Sequence, residues 1–169
     1  MLAERLGAHP QCTPEVKAEV VGAFEWYWAN ELALGKDDNY KMSLEEYIDN
    51  VAAARASPSN IEQLRTKIVP MLANLFFKVI DVNANGVISI EEFKYFHEAC
   101  GIYDKRDTQM AFDALDSNHN GTISREEYVN GQLEFWLGDD VNAPANLMWG
   151  PLDPPNAGFC AALQRCFRR

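Results

Sequence analysis

Apolar residues recur at helical spacing along most of this chain, and short polar stretches rich in Asp, Asn and Gly cut the recurrences apart. Thr13 caps a first helix with Pro14 at its opening position, where a missing N–H costs nothing. Its apolar face runs through Val16, Val20, Ala23, Phe24, Tyr27 and Trp28. A second helix begins near Ser43. Ser57-Pro58-Ser59-Asn60 reads as a break, and a longer helix then carries Ile61, Leu64, Ile68, Leu72, Leu75, Phe76 and Val79. Further helices are expected from about Ile90 to Ala99, stopped by Gly101 as a C-terminal cap, from roughly Lys105 to Leu115, and from about Arg125 to Leu137. Pro144, Pro151, Pro154 and Pro155 predict irregular chain beyond Gly138. The pattern predicts an all-α fold of helix–loop–helix repeats.

One phrase punctuates it. Ser-x-Glu-Glu followed by an aromatic residue occurs three times, at Ser43–Tyr47, Ser89–Phe93 and Ser124–Tyr128. Ser followed three residues later by Glu is a capping box, so each phrase opens a helix. Before the last two phrases stand two twelve-residue stretches, Asp81–Glu92 (DVNANGVISIEE) and Asp116–Glu127 (DSNHNGTISREE). Each places oxygen-bearing side chains at positions 1, 3, 5, 9 and 12 and glycine at 6, the ligand pattern of an EF-hand calcium loop. Two such loops 35 residues apart are the spacing of an adjacent pair.

Calcium is a hard cation that takes about seven oxygens. The expected ligands in the first loop are Asp81, Asn83, Asn85, the Val87 carbonyl, Ser89 directly or through water, and Glu92 with both oxygens. The matching set in the second is Asp116, Asn118, Asn120, the Thr122 carbonyl, Ser124 and Glu127. Gly86 and Gly121 permit the sharp turn, and Ile88 and Ile123, at position 8, are expected to form a short β-bridge between the loops. Only two ligands per loop are charged, which predicts affinity on the order of 10⁻⁷ to 10⁻⁵ M, and Glu at position 12 favours calcium over magnesium. Two calcium ions per chain are expected. The first Ser-x-Glu-Glu phrase ends a degenerate loop, Gly35–Glu46 (GKDDNYKMSLEE). Gly35 removes the first carboxylate and Tyr40 replaces the turn glycine. Asp37, Asn39, Ser43 and Glu46 stay in register. This loop is expected to be silent, offering Met42 at position 8 as a bridge partner.

Composition narrows the partners. Fifteen basic against 25 acidic residues give a net charge of −10, which argues against nucleic acid. No run of about 18 apolar residues predicts a membrane span, and with no secretory core at the start the cytoplasm is the expected compartment. Cys12, Cys100, Cys160 and Cys166 form no C-x-x-C pair and are expected as free thiols. His9, His97 and His119 are isolated, with His119 pointing outward from loop position 4. No histidine pairs with a nucleophile and no phosphate loop is present, so catalysis is not expected. The chain divides into residues 1–57 with the degenerate loop 35–46, residues 58–137 with the paired loops, and a 138–169 tail. The tail ends in a basic amphipathic segment carrying Phe159, Leu163 and Phe167 beside Arg165, Arg168 and Arg169. A disordered tail, a membrane or acidic-partner contact, and docking into the chain's own groove are all compatible with it.

With these residues in place the chain resembles the invertebrate sarcoplasmic calcium-binding proteins and their relatives, the luciferin-binding proteins and calcium-regulated photoproteins. A silent hand followed by two good ones, Phe135-Trp136-Leu137-Gly138 at the last helix end, and Ala145-Asn146-Leu147-Met148-Trp149-Gly150-Pro151-Leu152 carry the resemblance, which spans about Leu6 to Leu152. It implies a compact four-hand protein whose tail packs on the domain. Here three hands are found, which leaves an odd hand; a homodimer pairing two such hands is one way to satisfy it. Photoproteins carry a His–Trp–Tyr constellation. Trp136 fills the Trp place, Gln132 stands where the His would be, and Trp149 or Met148 where the Tyr would be. That argues against self-contained light emission but not against binding an apolar luciferin. The expected function is calcium buffering or calcium-responsive carriage. The alternatives are calcium-triggered binding or release of a hydrophobic small molecule of the coelenterazine type, and a calcium sensor for a protein partner. The clustered rings are expected to form core more than cavity.

Overall fold

A computed structural model describes residues 13–27, 43–140 and 142–149. Helix α1 spans Pro14–Tyr27 and α2 spans Leu44–Ala56. Helix α3, Pro58–Gln63, runs through a π turn at Leu64–Ile68 into α4, Val69–Ile80. After the first loop come β1 at Val87–Ile88 and α5 at Ile90–Ala99; then α6 at Lys105–Leu115, β2 at Ile123–Ser124 and α7 at Arg125–Leu137. A single 3-10 turn, Pro144–Leu147, ends the described chain.

The start signals work as local chemistry predicts. Pro14 opens α1, and the Ser43 hydroxyl accepts from the Glu46 N–H at 3.1 Å as α2 begins. The expected four-residue break at 57–60 shrinks to Ser57 alone, because Pro58 sits at the first position of α3, where its ring already has helical φ. The π turn is a second feature the apolar period does not announce. Pro70 has no N–H to donate backwards, and the ladder widens in the turn before it, with the Val69 N–H reaching the Leu64 carbonyl. Helix α5 stops where expected. Gly101, at φ 88, lets the Gly101 N–H reach the Glu98 carbonyl and the Ile102 N–H reach the His97 carbonyl, the paired bonds of a Schellman cap.

The two loops meet through the short antiparallel bridge, Ile88 opposite Ile123 and Val87 opposite Ser124. Both isoleucines are fully buried, and from them the core spreads along α4, α5, α6 and α7 through Phe77, Phe93, Phe96, Phe112, Leu115 and Tyr128. The rings pack edge to face, Phe77 on Tyr128 and Phe93 on Phe112 among them. Helix α7 is tied back to α4 by Arg125, which donates to Asn74 Oδ1 at 3.0 Å and lies 4.3 Å over the Phe77 ring. The tail docks on the same core. Met148 is fully buried against Gly131 of α7, where an added Cβ would fall 2.3 Å from Leu115 Cδ2 and 3.0 Å from Met148 Cε.

His97, expected to be isolated, is bonded on both ring nitrogens. It is wholly buried, with Nδ1 3.1 Å from Thr108 Oγ1 and Nε2 3.0 Å from the Met148 carbonyl. Its partner in the tail lies 51 residues away, beyond any local pattern. Cys100 is buried. Cys12, Cys160, Cys166, His9, Met42, Trp28, most of the degenerate loop and the basic terminus lie outside the described residues.

The bridge isoleucines carry a direct stability test. Replacing Ile88 or Ile123 with Ala leaves a cavity between two loops, at a cost of about 2–5 kcal/mol. Urea unfolding with chelator present should show that loss for each, and a loss under about 1 kcal/mol would mean the loops do not depend on this contact.

Candidate metal centres

Each loop is built by the same succession of local bonds. In the first, Asp81 Oδ1 accepts from the Asn85 N–H at 3.0 Å and Oδ2 from the Gly86 N–H at 2.9 Å. Asn83 Oδ1 accepts from the Asn85 N–H, and Asn85 Oδ1 from the Val87 N–H, both at 3.0 Å. The second loop repeats this with Asp116 to Asn120 and Gly121, Asn118 to Asn120, and Asn120 to Thr122. These bonds wind the backbone round the side-chain oxygens of positions 1, 3 and 5 and so set those oxygens inside the loop. Gly86 and Gly121 take φ of 88 and 82, as the turn requires. Position 4 is left-handed as well, at Ala84 (φ 55) and His119 (φ 54), a demand the ligand pattern does not reveal. His119 is exposed, as its loop position implies.

The position-12 glutamates close the loops. Glu92 Oε2 accepts from the Ser89 N–H at 2.9 Å and the Ser89 hydroxyl at 2.7 Å, while Oε1 accepts from Asn83 Nδ2 at 2.9 Å. One carboxylate thus spans positions 3, 9 and 12. Glu127 does the same, with Oε2 on Ser124 and Oε1 accepting from the Ser117 hydroxyl at 2.9 Å. Ser117 is a contributor that the ligand pattern misses; the first loop has Val82 at that position. Both serines also cap their helices, completing full capping boxes with Glu92 and Glu127. Partial burial pushes the Glu127 carboxyl up, but hydrogen bonds from Ser124, Ser117 and Asn118 outweigh it and hold the group below the usual carboxylate range.

The donor set suits a hard divalent cation. Among the described residues no three of His, Cys, Asp and Glu converge, so no thiolate or imidazole cage is present there. Each loop instead gathers two carboxylates, Asp81 with Glu92 or Asp116 with Glu127, and completes the set with amide, hydroxyl and carbonyl oxygens. All twelve expected ligand residues lie in these two loops, and the bridge brings the loops side by side.

A second polar cluster lies at the far end of α7. Gln132 Nε2 donates to the Tyr128 hydroxyl at 2.9 Å, and Gln132 Oε1 accepts from Trp136 Nε1 at 2.8 Å. Burial raises the Tyr128 phenol far above its ordinary range, so it stays neutral. Close by, the Trp149 ring packs edge-on against Phe76 and Phe96 and tilted against Phe135. Its indole N–H is buried with no hydrogen-bond partner among the described residues. No helix among the described residues is long and apolar enough to cross a membrane.

Comparison with known proteins agrees with this geometry. The EF hand family matches residues 74–97 and 109–131, the two loops with their flanking helices. The fold is similar to calcium-loaded coelenterazine-binding protein from Renilla muelleri, with a TM-score of 0.62, 25% identity, and 88% of this chain and 80% of that one covered. It is also similar to calcium-loaded apo-aequorin from Aequorea victoria, at a TM-score of 0.65 and 23% identity over 83% of this chain and 75% of that one. A third similar structure, okadaic acid binding protein 2.1, gives a TM-score of 0.65 and 23% identity over 89% and 79% of the two chains. No curated protein sequence matches the chain. The chain thus carries two EF-hand motifs, in a fold similar to that of photoproteins and luciferin-binding proteins.

Proposed function

We propose that this protein binds two calcium ions, one in each of the loops 81–92 and 116–127, and acts as an intracellular calcium buffer or calcium-responsive carrier. The observation that carries this reading is the placement of Glu92 and Glu127. Each carboxylate is already turned across its own loop toward position 3 and held there by its N-cap serine. Asp81, Asn83, Asn85, Ser89 and Glu92, with the Val87 carbonyl, would hold one ion. Asp116, Asn118, Asn120, Ser124 and Glu127, with the Thr122 carbonyl, would hold the other. A buffer needs no large opening, whereas a sensor exposes a Met-rich groove; five methionines without a cluster favour the buffer. The reading includes no catalytic step.

Isothermal calorimetry on chelator-stripped protein should count two ions with dissociation constants on the order of 10⁻⁷ to 10⁻⁵ M. Glu92→Gln and Glu127→Gln should each remove one ion, and the double variant both. A third ion would show that the loop 35–46 is not silent. A calcium-dependent rise in apolar-dye binding would favour the partner-binding sensor over the buffer.

The unpartnered Trp149 N–H favours a second reading, in which the aromatic cluster takes a hydrophobic small molecule with a hydrogen-bond acceptor. One relative of this fold is a coelenterazine-binding protein. Under this reading coelenterazine stays with the protein through gel filtration in chelator and is lost when calcium is added. Trp149→Phe should weaken retention about tenfold, the worth of one buried hydrogen bond of roughly 1.5 kcal/mol. Absence of retention in the unaltered protein leaves the buffer reading alone.

A further inference from the structure

His97 stands at a junction that calcium ligation does not use. It sits on α5, the helix leaving the first loop. Thr108, at its Nδ1, sits on α6, the helix entering the second, and the Met148 carbonyl at its Nε2 belongs to the tail. One side chain therefore bonds to both hands and to the segment that covers them. A carbonyl only accepts, so Nε2 carries the proton and donates to Met148. In the neutral ring, Nδ1 then accepts from the Thr108 hydroxyl. The Asp104 carbonyl, which lies 3.1 Å from that hydroxyl, still accepts from the Thr108 N–H.

We propose that His97 is a proton-operated latch on the tail: the neutral imidazole holds Ala143–Trp149 against the hands, and its protonation in acid releases that segment and uncovers the aromatic cluster under Trp149.

The hydrogen bonds alone tolerate a second proton. Nδ1–H would donate to Thr108 Oγ1, whose own hydrogen would turn to Asp104. What the site does not tolerate is the charge. The ring lies 4.4 Å from the Phe93 centroid and 6.0 Å from that of Phe96, and among the described residues its partners are the uncharged Thr108 and the Met148 carbonyl. On its own helix, Glu92 is turned into the calcium loop, Lys94 and Glu98 are exposed and 3.9 Å from each other, and Cys100 is a buried thiol. On α6, the Asp104 carboxylate accepts from the Arg106 N–H, and Asp107 is only half-buried. On α7 the buried titratable group is the Tyr128 phenol, and residues 142–149 carry none. An imidazolium here would be buried without a counter-ion. Burial accordingly pulls the His97 pKa down from 6.5 to about 4, with the Met148 bond opposing it. Because the folded value is the lower one, the latched state is fully favoured above pH 6.5 and loses ground as pH falls toward 4. Of the elements packed on the ring, the tail yields most easily. Its described part holds a single 3-10 turn, while the others are full helices.

Nuclear magnetic resonance on the isotope-labelled full chain tests this. The His97 ring signal and the Trp149 indole N–H signal (the latter identified by its loss in Trp149→Phe) are followed from pH 7 to 4. The expected result is one shared step well below 6.5, with far-UV helix signal unchanged across it. His97→Gln keeps an amide donor for the Met148 carbonyl but does not titrate, so its Trp149 signal should stay still. A Trp149 step persisting in His97→Gln would assign the release to carboxylates and overturn the latch. So would a His97 titration near 6.5 with Trp149 unmoved. Should the Gln variant not fold, the wild-type comparison decides: helix loss coincident with the Trp149 step overturns the proposal.

Discussion

Glu92 and Glu127 each belong to a helix and to a loop at the same time, and the rest of the structure hangs on that double membership. As the third residue of its helix, each completes a capping box with the serine before it. As the twelfth residue of its loop, each reaches back across the turn toward position 3. The leaving helix cannot start elsewhere without withdrawing the carboxylate from the loop. One residue before each serine stands the isoleucine that pairs the two loops. Five consecutive residues thus set bridge, helix start and loop closure together, and the buried rings of α4 to α7 assemble around them.

This is also why so much was legible in the sequence. Capping boxes, turn glycines and the helical period are local devices, and each operates within four or five residues of its own chain. The helices Ile90–Ala99, Lys105–Leu115 and Arg125–Leu137 and the Ile88–Ile123 bridge follow from such signals. What escaped is what local patterns do not encode. The left-handed turn at Ala84 and His119 is imposed by loop closure, in the first loop on an alanine with no preference for it. The π turn before Pro70 depends on a donor that is missing rather than on a residue that is present. His97 reads as a lone polar residue at the end of an apolar face, and its meaning comes from a carbonyl in the tail.

The aromatic cluster carries two polar features, one within α7 and one on the tail. Gln132 uses both ends of its amide within α7, accepting from Trp136 and donating to Tyr128. That closes a chain of neutral hydrogen bonds along α7, from Trp136 through Gln132 to Tyr128. Among the described residues the unsatisfied donor of the cluster is the Trp149 indole N–H, on the tail. A buried N–H without a partner costs roughly 1–3 kcal/mol. Such a cost is retained where some other requirement holds the ring in place, and packing against Phe76, Phe96 and Phe135 supplies one.

The two polar regions of the protein handle charge in opposite ways. The loops collect carboxylates at a partly exposed surface, surround them with backbone N–H groups and hold the Glu127 proton affinity low, which is the environment a divalent cation needs. The junction at His97 sits among rings, offers only uncharged partners and pushes proton affinity low for the contrary reason, that it refuses a cation. Helix α5 joins them, with Glu92 in its first turn and His97 in its last. One helix of ten residues thus carries a cation-seeking end and a cation-refusing end. Glu92 and His97 therefore belong to one element, and the first loop and the segment that covers the aromatic cluster are both bonded to the same helix.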